Sequence, residues 1–142
     1  MHPWLISKII IGIMLMFPLS QKTTDIVKEF EGYSPVPYKC PAGEMTIGYG
    51  HVIRSNEKFK TIDKPKAEEI LKKDLQSASR VLYENFNVDK LTNNQISALV
   101  SFIYNIGETA FLKSTMAKYL TTGDLEKVSR EFARWIFINK VL

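Results

Sequence analysis

Between Glu31 and His51 the chain reads Glu-Gly-Tyr-Ser-Pro-Val-Pro-Tyr-Lys-Cys-Pro-Ala-Gly-Glu-Met-Thr-Ile-Gly-Tyr-Gly-His, and this stretch constrains the fold more than any other. Pro35, Pro37 and Pro41 cannot donate to a helix or to a central strand ladder, and Gly43, Gly48 and Gly50 mark turns. A helix through the block is excluded. What remains is a hairpin or small three-stranded sheet with several turns, its later part running from Thr46 to Ile53. Just before it, a short helix is expected from about Thr24 to Glu31. Asp25 stands in its first turn, Ile26, Val27 and Phe30 share one face, and Gly32 supplies a left-handed stop.

Beyond the block the pattern turns helical. Asp63 caps a long amphipathic helix with Pro65 in its first turn, carrying Ile70, Leu71, Leu75 and Leu82 to about Tyr83. Thr92 and Gln95 form a capping box, with Leu91 and Ile96 as the hydrophobic staple around it. Ile96, Leu99, Val100 and Ile103 line one face of that helix, and Gly107 ends it. Ser114 caps a short helix through Leu120, stopped by Gly123, and Asp124 caps a last one with Val128, Phe132 and Trp135.

At 142 residues there is room for one domain with a modest core. The formal net charge of +4 suits an anionic partner. No basic stripe interleaved with exposed aromatics and no nucleic-acid-binding motif is present, so the bacterial envelope fits better than nucleic acid. Cys40 is the single cysteine, which excludes an intramolecular disulfide, and the two histidines, His2 and His51, form no metal-ligand cluster. No cofactor is expected. Met1 to Ser20 reads as a separate segment, with Ile9 through Leu19 apolar and Lys8 ahead of them. Its length suits a signal peptide or signal-anchor, the alternative being a buried helix of the domain. The folded domain is then 21–142.

An acid at a helix end, facing small groups that hold water across a groove, is the minimum equipment for cleaving a glycosidic bond. Glu31 is the candidate acid. Its place in the last turn of a helix disfavours the carboxylate, as does shielding by Phe30 and Tyr33. Cys40 reads as a water-positioning or partly ionised base, or less directly a nucleophile, with neighbouring Lys39 favouring a thiolate. The alternative is a small buried Cys in a turn. The Thr46 hydroxyl can hold the attacking water opposite Glu31.

The spacing of Glu31, Cys40 and Thr46, together with the run Thr46-Ile47-Gly48-Tyr49-Gly50-His51, resembles the active-site signature of the phage-type lysozymes (endolysins, glycoside hydrolase family 24). The string from Leu91 through Phe102, then Asn105-Ile106-Gly107, is similar to the same family, as are Ser114-Thr115 and Gly123-Asp124. The resemblance spans roughly 24–142. It implies an α+β lysozyme-like fold, mostly helical, with a small β-hairpin lobe joined by a long helix to a helical lobe. It also implies an inverting, cofactor-free hydrolase acting on the β-1,4 bond between N-acetylmuramic acid and N-acetylglucosamine in peptidoglycan. The enzyme would be a monomer, exported to the periplasm or cell wall, with residues 4–20 resembling the signal-anchors of some endolysins that tether to the inner membrane. Glu31, Cys40 and Thr46 would be catalytic, and Gly48, Tyr49, Gly50 and His51 supporting or substrate-binding. Gly48 and Gly50 would let the backbone approach sugar rings, Tyr49 and Phe111 would belong to the core or else stack on sugars, and His51 would anchor to Asp74.

Two features depart from the family pattern. Ile96-Ser97 stand where relatives have an aromatic followed by Asp. The chain also ends at Lys140-Val141-Leu142, where relatives continue into another basic helix. The alternative expectation is therefore a truncated, inactive relative that binds peptidoglycan without turning it over.

Overall fold

The computed structural model describes residues 19–141, with side chains described as far as Arg134. Helix α1 (Gln21–Glu31) leads into strands β1 (Ser34–Lys39), β2 (Met45–Gly48) and β3 (His51–Val52). Five helices follow: α2 (Lys64–Asn85), α3 (Asn93–Ile106), α4 (Glu108–Leu112), α5 (Thr115–Thr122) and α6 (Leu125–Val141). The strands form one antiparallel sheet in the order β1-β2-β3. This is the α+β arrangement expected from the sequence, a small sheet beside a helical lobe.

Helix α1 begins a turn earlier than expected because Ser20 caps it, its hydroxyl accepting from the Thr23 amide at 3.3 Å. Ser20 Oγ also lies 3.2 Å from Ser97 Oγ on α3, and Leu19 packs partly buried on the core. These two residues thus join the folded domain, whereas the rest of the expected N-terminal segment lies outside the described residues. The buried face of α1 differs from the expected one: Thr23, Thr24 and Val27 are buried, while Ile26 and Phe30 are 45% and 67% exposed along a groove. Gly32 stops the helix at positive φ as expected (φ 70°), though its ψ of 171° lies outside the left-handed helical well.

Asp63 caps α2 as expected, accepting from the Lys66 amide at 2.9 Å. The helix packs against both β2 and α3, so it ties the sheet to the helical lobe. Leu71, Leu75, Val81 and Leu82 are buried in the core with Leu99, Val100, Ile103 and Phe111. Both halves of the Thr92–Gln95 capping box are made, at 3.1 and 2.8 Å. After Gly107 the chain folds α4 (Glu108–Leu112), a short turn of helix without a side-chain cap that buries Phe111. Lacking a cap and a full apolar repeat, it left no periodic signal. Gly123 stops α5 in the left-handed conformation at φ 77°, ψ 13°.

Candidate active site

Three elements converge on Glu31. It is the last residue of α1, half-buried, and it meets the end of α3 and the turn between β2 and β3. Asn105 Nδ2, at the end of α3, donates to Glu31 Oε1 at 3.5 Å. Behind the carboxylate the β2–β3 turn passes so close that a Cβ on Gly50 would lie 2.9 Å from Glu31 Oε2 and 3.2 Å from the Tyr104 hydroxyl. That hydroxyl in turn donates to the Tyr49 carbonyl at 2.7 Å, which pins the turn to α3. Burial raises the Glu31 pKa above the usual carboxylate value, and the Asn105 hydrogen bond offsets part of the rise. The result is an acid biased toward holding its proton.

Cys40 and Thr46 sit together at the far end of the β1–β2 hairpin. The turn is closed by the Cys40 amide donating to the Glu44 carbonyl at 2.9 Å and Gly43 to the Cys40 carbonyl at 2.8 Å. The thiol pKa is lowered, first by a backbone hydrogen bond from Glu44, then by the Thr46 hydroxyl and the Ala42 backbone. Lys39 is not among the causes. The thiolate is favoured by amides and a hydroxyl, not by the neighbouring cation. Thr46 is buried and its hydroxyl also reaches the Glu44 carbonyl at 3.1 Å.

Among the supporting residues, the structure separates Gly48 from Gly50. A Cβ at Gly48 (φ +66°) would press on Ile62 Cδ1 at 3.1 Å and Ala67 Cβ at 3.2 Å, so this glycine admits α2. Gly50 admits Glu31. Tyr49 and Phe111 are buried in the core. His51 is buried with its Nδ1 2.6 Å from Asp74 Oδ2, the partner expected from the sequence. A second carboxylate was not expected: Glu57 Oε1 lies 3.0 Å from His51 Nε2, and Glu57 also accepts from the Arg54 amide at 2.8 Å. In the sequence, Asn105 is marked only as part of a helix-end string. The signal for it is a pair of polar residues, Tyr104-Asn105, in an otherwise apolar final turn.

Two variants test this wall. Gly50→Ala puts a methyl group against the carboxylate at φ +86° and is expected to cost about 1–3 kcal/mol in backbone strain. A displaced acid should further lower kcat by about 10²-fold, read by turnover beside a melting curve. Asn105→Ala removes the hydrogen bond that lowers the Glu31 pKa. The alkaline limb of the pH–rate profile should then move to higher pH.

The fold and the wall around Glu31 define a lysozyme-like hydrolase. The phage lysozyme family profile matches residues 28–142, and the chain belongs to that family. It is 38% identical over 117 residues to the endolysin of Acyrthosiphon pisum secondary endosymbiont phage 1, covering 82% of this chain and 79% of that one. It is 36% identical over 119 residues to the endolysin of Bacillus phage PZA, covering 82% of this chain but only 46% of the relative. A SAR-endolysin of Escherichia phage Mu is 32% identical over 117 residues, with 82% and 67% covered. Among solved structures, the muramidase domain of SpmX from Asticaccaulis excentricus superposes with a TM-score of 0.72 at 29% identity, covering 83% of this chain and 79% of that one.

Proposed function

We propose that this chain is an endolysin that hydrolyses the β-1,4 bond between N-acetylmuramic acid and N-acetylglucosamine in bacterial peptidoglycan. The observation that carries the reading is the half-buried Glu31, lining a groove against Asn105 and the Gly50 turn, with its pKa raised by burial. Protonated Glu31 gives its proton to the leaving glycosidic oxygen as the C–O bond breaks. A water held by the Thr46 hydroxyl attacks the anomeric carbon from the opposite face, and its proton passes to the Cys40 thiolate. Single displacement inverts the anomeric configuration, and no metal or cofactor takes part.

The segment ahead of Leu19 serves as a signal-anchor that carries the domain to the periplasm or cell wall, since Leu19 and Ser20 belong to the folded domain. The apolar run from Ile9 and the similarity to the SAR-endolysin of phage Mu support this. Among the described residues no helix is long and apolar enough to cross a membrane. The enzyme acts as a monomer on the glycan strand.

The test is release of reducing ends from purified peptidoglycan by the full chain, with product anomers followed by proton NMR. New N-acetylmuramic acid reducing ends with the α configuration are expected. A folded chain that clears no peptidoglycan would sink the proposal.

A further inference from the structure

Tyr38 lies on β1, two residues before Cys40 and directly across the ladder from Thr46. Cross-strand partners share a face, so Tyr38 and Thr46 lie on the same side of the sheet. The Thr46 hydroxyl also interacts with the Cys40 thiol. The other face of the sheet carries the Ile47–His51 pair and turns toward α2 through His51 and Asp74. Tyr38 therefore stands with the groups assigned to the attacking water.

Two further observations set it apart. Thr46 is 3% exposed whereas Tyr38 is 36% exposed, so of this cross-strand pair the phenol is the accessible member, beside Val52 on the other side of Thr46. The hydroxyls of Tyr33 and Tyr104 donate to the Ile62 and Tyr49 carbonyls, but that of Tyr38 has no hydrogen-bond partner among the described residues. Burial, followed by the negative charges of Glu31 and Cys40, raises its pKa, so the phenol stays a neutral donor. A neutral donor on an exposed aromatic ring, close to both an acid and a thiol, is suited to a ligand with apolar C–H faces and many oxygen acceptors. A pyranose has both.

We infer that Tyr38 is a substrate-contacting residue, its ring packing on a sugar held between Glu31 and Thr46 and its O–H donating to a sugar oxygen. The inference rests on the glycoside-hydrolase reading above and adds a residue to it. Binding is measured with soluble peptidoglycan glycan oligomers and the full chain carrying Glu31→Gln, alone and with Tyr38→Ala or Tyr38→Phe. Loss of the ring is expected to weaken Kd about tenfold and loss of the hydroxyl alone about threefold. With Glu31 intact, KM should rise by the same factors while kcat and the alkaline limb of the pH profile stay fixed.

Unchanged Kd in both Tyr38 variants overturns the inference. So does a fall in kcat at constant KM with a shifted pH limb, since Tyr38 would then act through Glu31. Should Tyr38→Ala melt early, Tyr38→Phe decides. A parent that releases no reducing ends defeats the hydrolase reading, yet the Glu31→Gln comparison still decides whether Tyr38 holds sugar. Absence of any oligomer binding defeats both.

Discussion

Glu31→Gln is expected to cut reducing-end release by about 10²–10⁴-fold, the range that a positioned general acid supplies, while the folded state becomes no less stable. Gln keeps the shape of Glu and can still accept from Asn105 Nδ2. It cannot deliver a proton to a leaving oxygen. The stability half of the prediction follows from the direction of the pKa shift. Burial raises the Glu31 pKa in the fold, so above that value the native state must hold a charge that the unfolded chain holds more easily. Folding is thus penalised at neutral pH by its own acid, and Gln removes the penalty. Thermal melting beside turnover reads both halves. A variant that loses activity only by unfolding would leave Glu31 a structural residue, and one that keeps turnover would move the acid elsewhere.

The sequence carried some parts of this site better than others, and the division has a physical basis. Local features were legible. Asp63, the Thr92–Gln95 capping box and the Gly123 stop each depend on residues within four positions, and all form as read. The sheet was legible because its prolines and glycines leave few conformations open. Contacts across the fold were less legible. His51 and Asp74 are 23 residues apart, and their 2.6 Å contact was anticipated. Glu57 is nearer in sequence, yet it lies in a loop with no periodicity to aim it. Two face assignments illustrate the limit. Ile26 and Phe30 have the helical spacing of a core stripe, but Thr23, Thr24 and Val27 take the buried side. The helix therefore presents apolar side chains to a groove of about 440 Å³ that also contains Glu31, Phe102, Asn105 and Phe132. Periodicity shows that a helix has an apolar face but does not say whether a neighbour covers it. Likewise, two glycines in one motif were given one role, whereas Gly48 makes room for α2 and Gly50 for the acid.

Asp74→Ala is expected to destabilise the domain by about 1.5–3 kcal/mol near pH 5.5, because it removes one of the two charged hydrogen bonds to a buried imidazolium while Glu57 keeps the other. His51 side-chain exposure is 6% and that of Asp74 is 14%, so water screens the pair weakly. Both ring nitrogens face acids, Nδ1 toward Asp74 and Nε2 toward Glu57, an arrangement satisfied in full only when both nitrogens carry protons. Asp74, with help from Glu57, raises the His51 pKa despite the opposing effect of burial. A group whose pKa is higher in the fold binds its proton more tightly there. Its contribution is complete below the unfolded histidine value of about 6.5 and fades as pH rises through the folded value. Glu57 runs the other way: its pKa is lowered, first by the Arg54 amide and then by His51, so its share is lost as pH falls through that lowered value. The clamp is strongest between these limits, and the gap between parent and variant should narrow as pH rises through the raised His51 value, toward about 1 kcal/mol for a neutral hydrogen bond. Denaturant melts across that pH range measure it, and a gap independent of pH would show that His51 is neutral in the fold. The consequence reaches the chemistry through one residue. His51 directly follows Gly50, where an added Cβ would collide with the Glu31 carboxylate, so the clamp to α2 fixes the wall behind the acid. Asp74→Ala should accordingly lower kcat even below its melting temperature, and restoring stability with a distant substitution should not restore turnover.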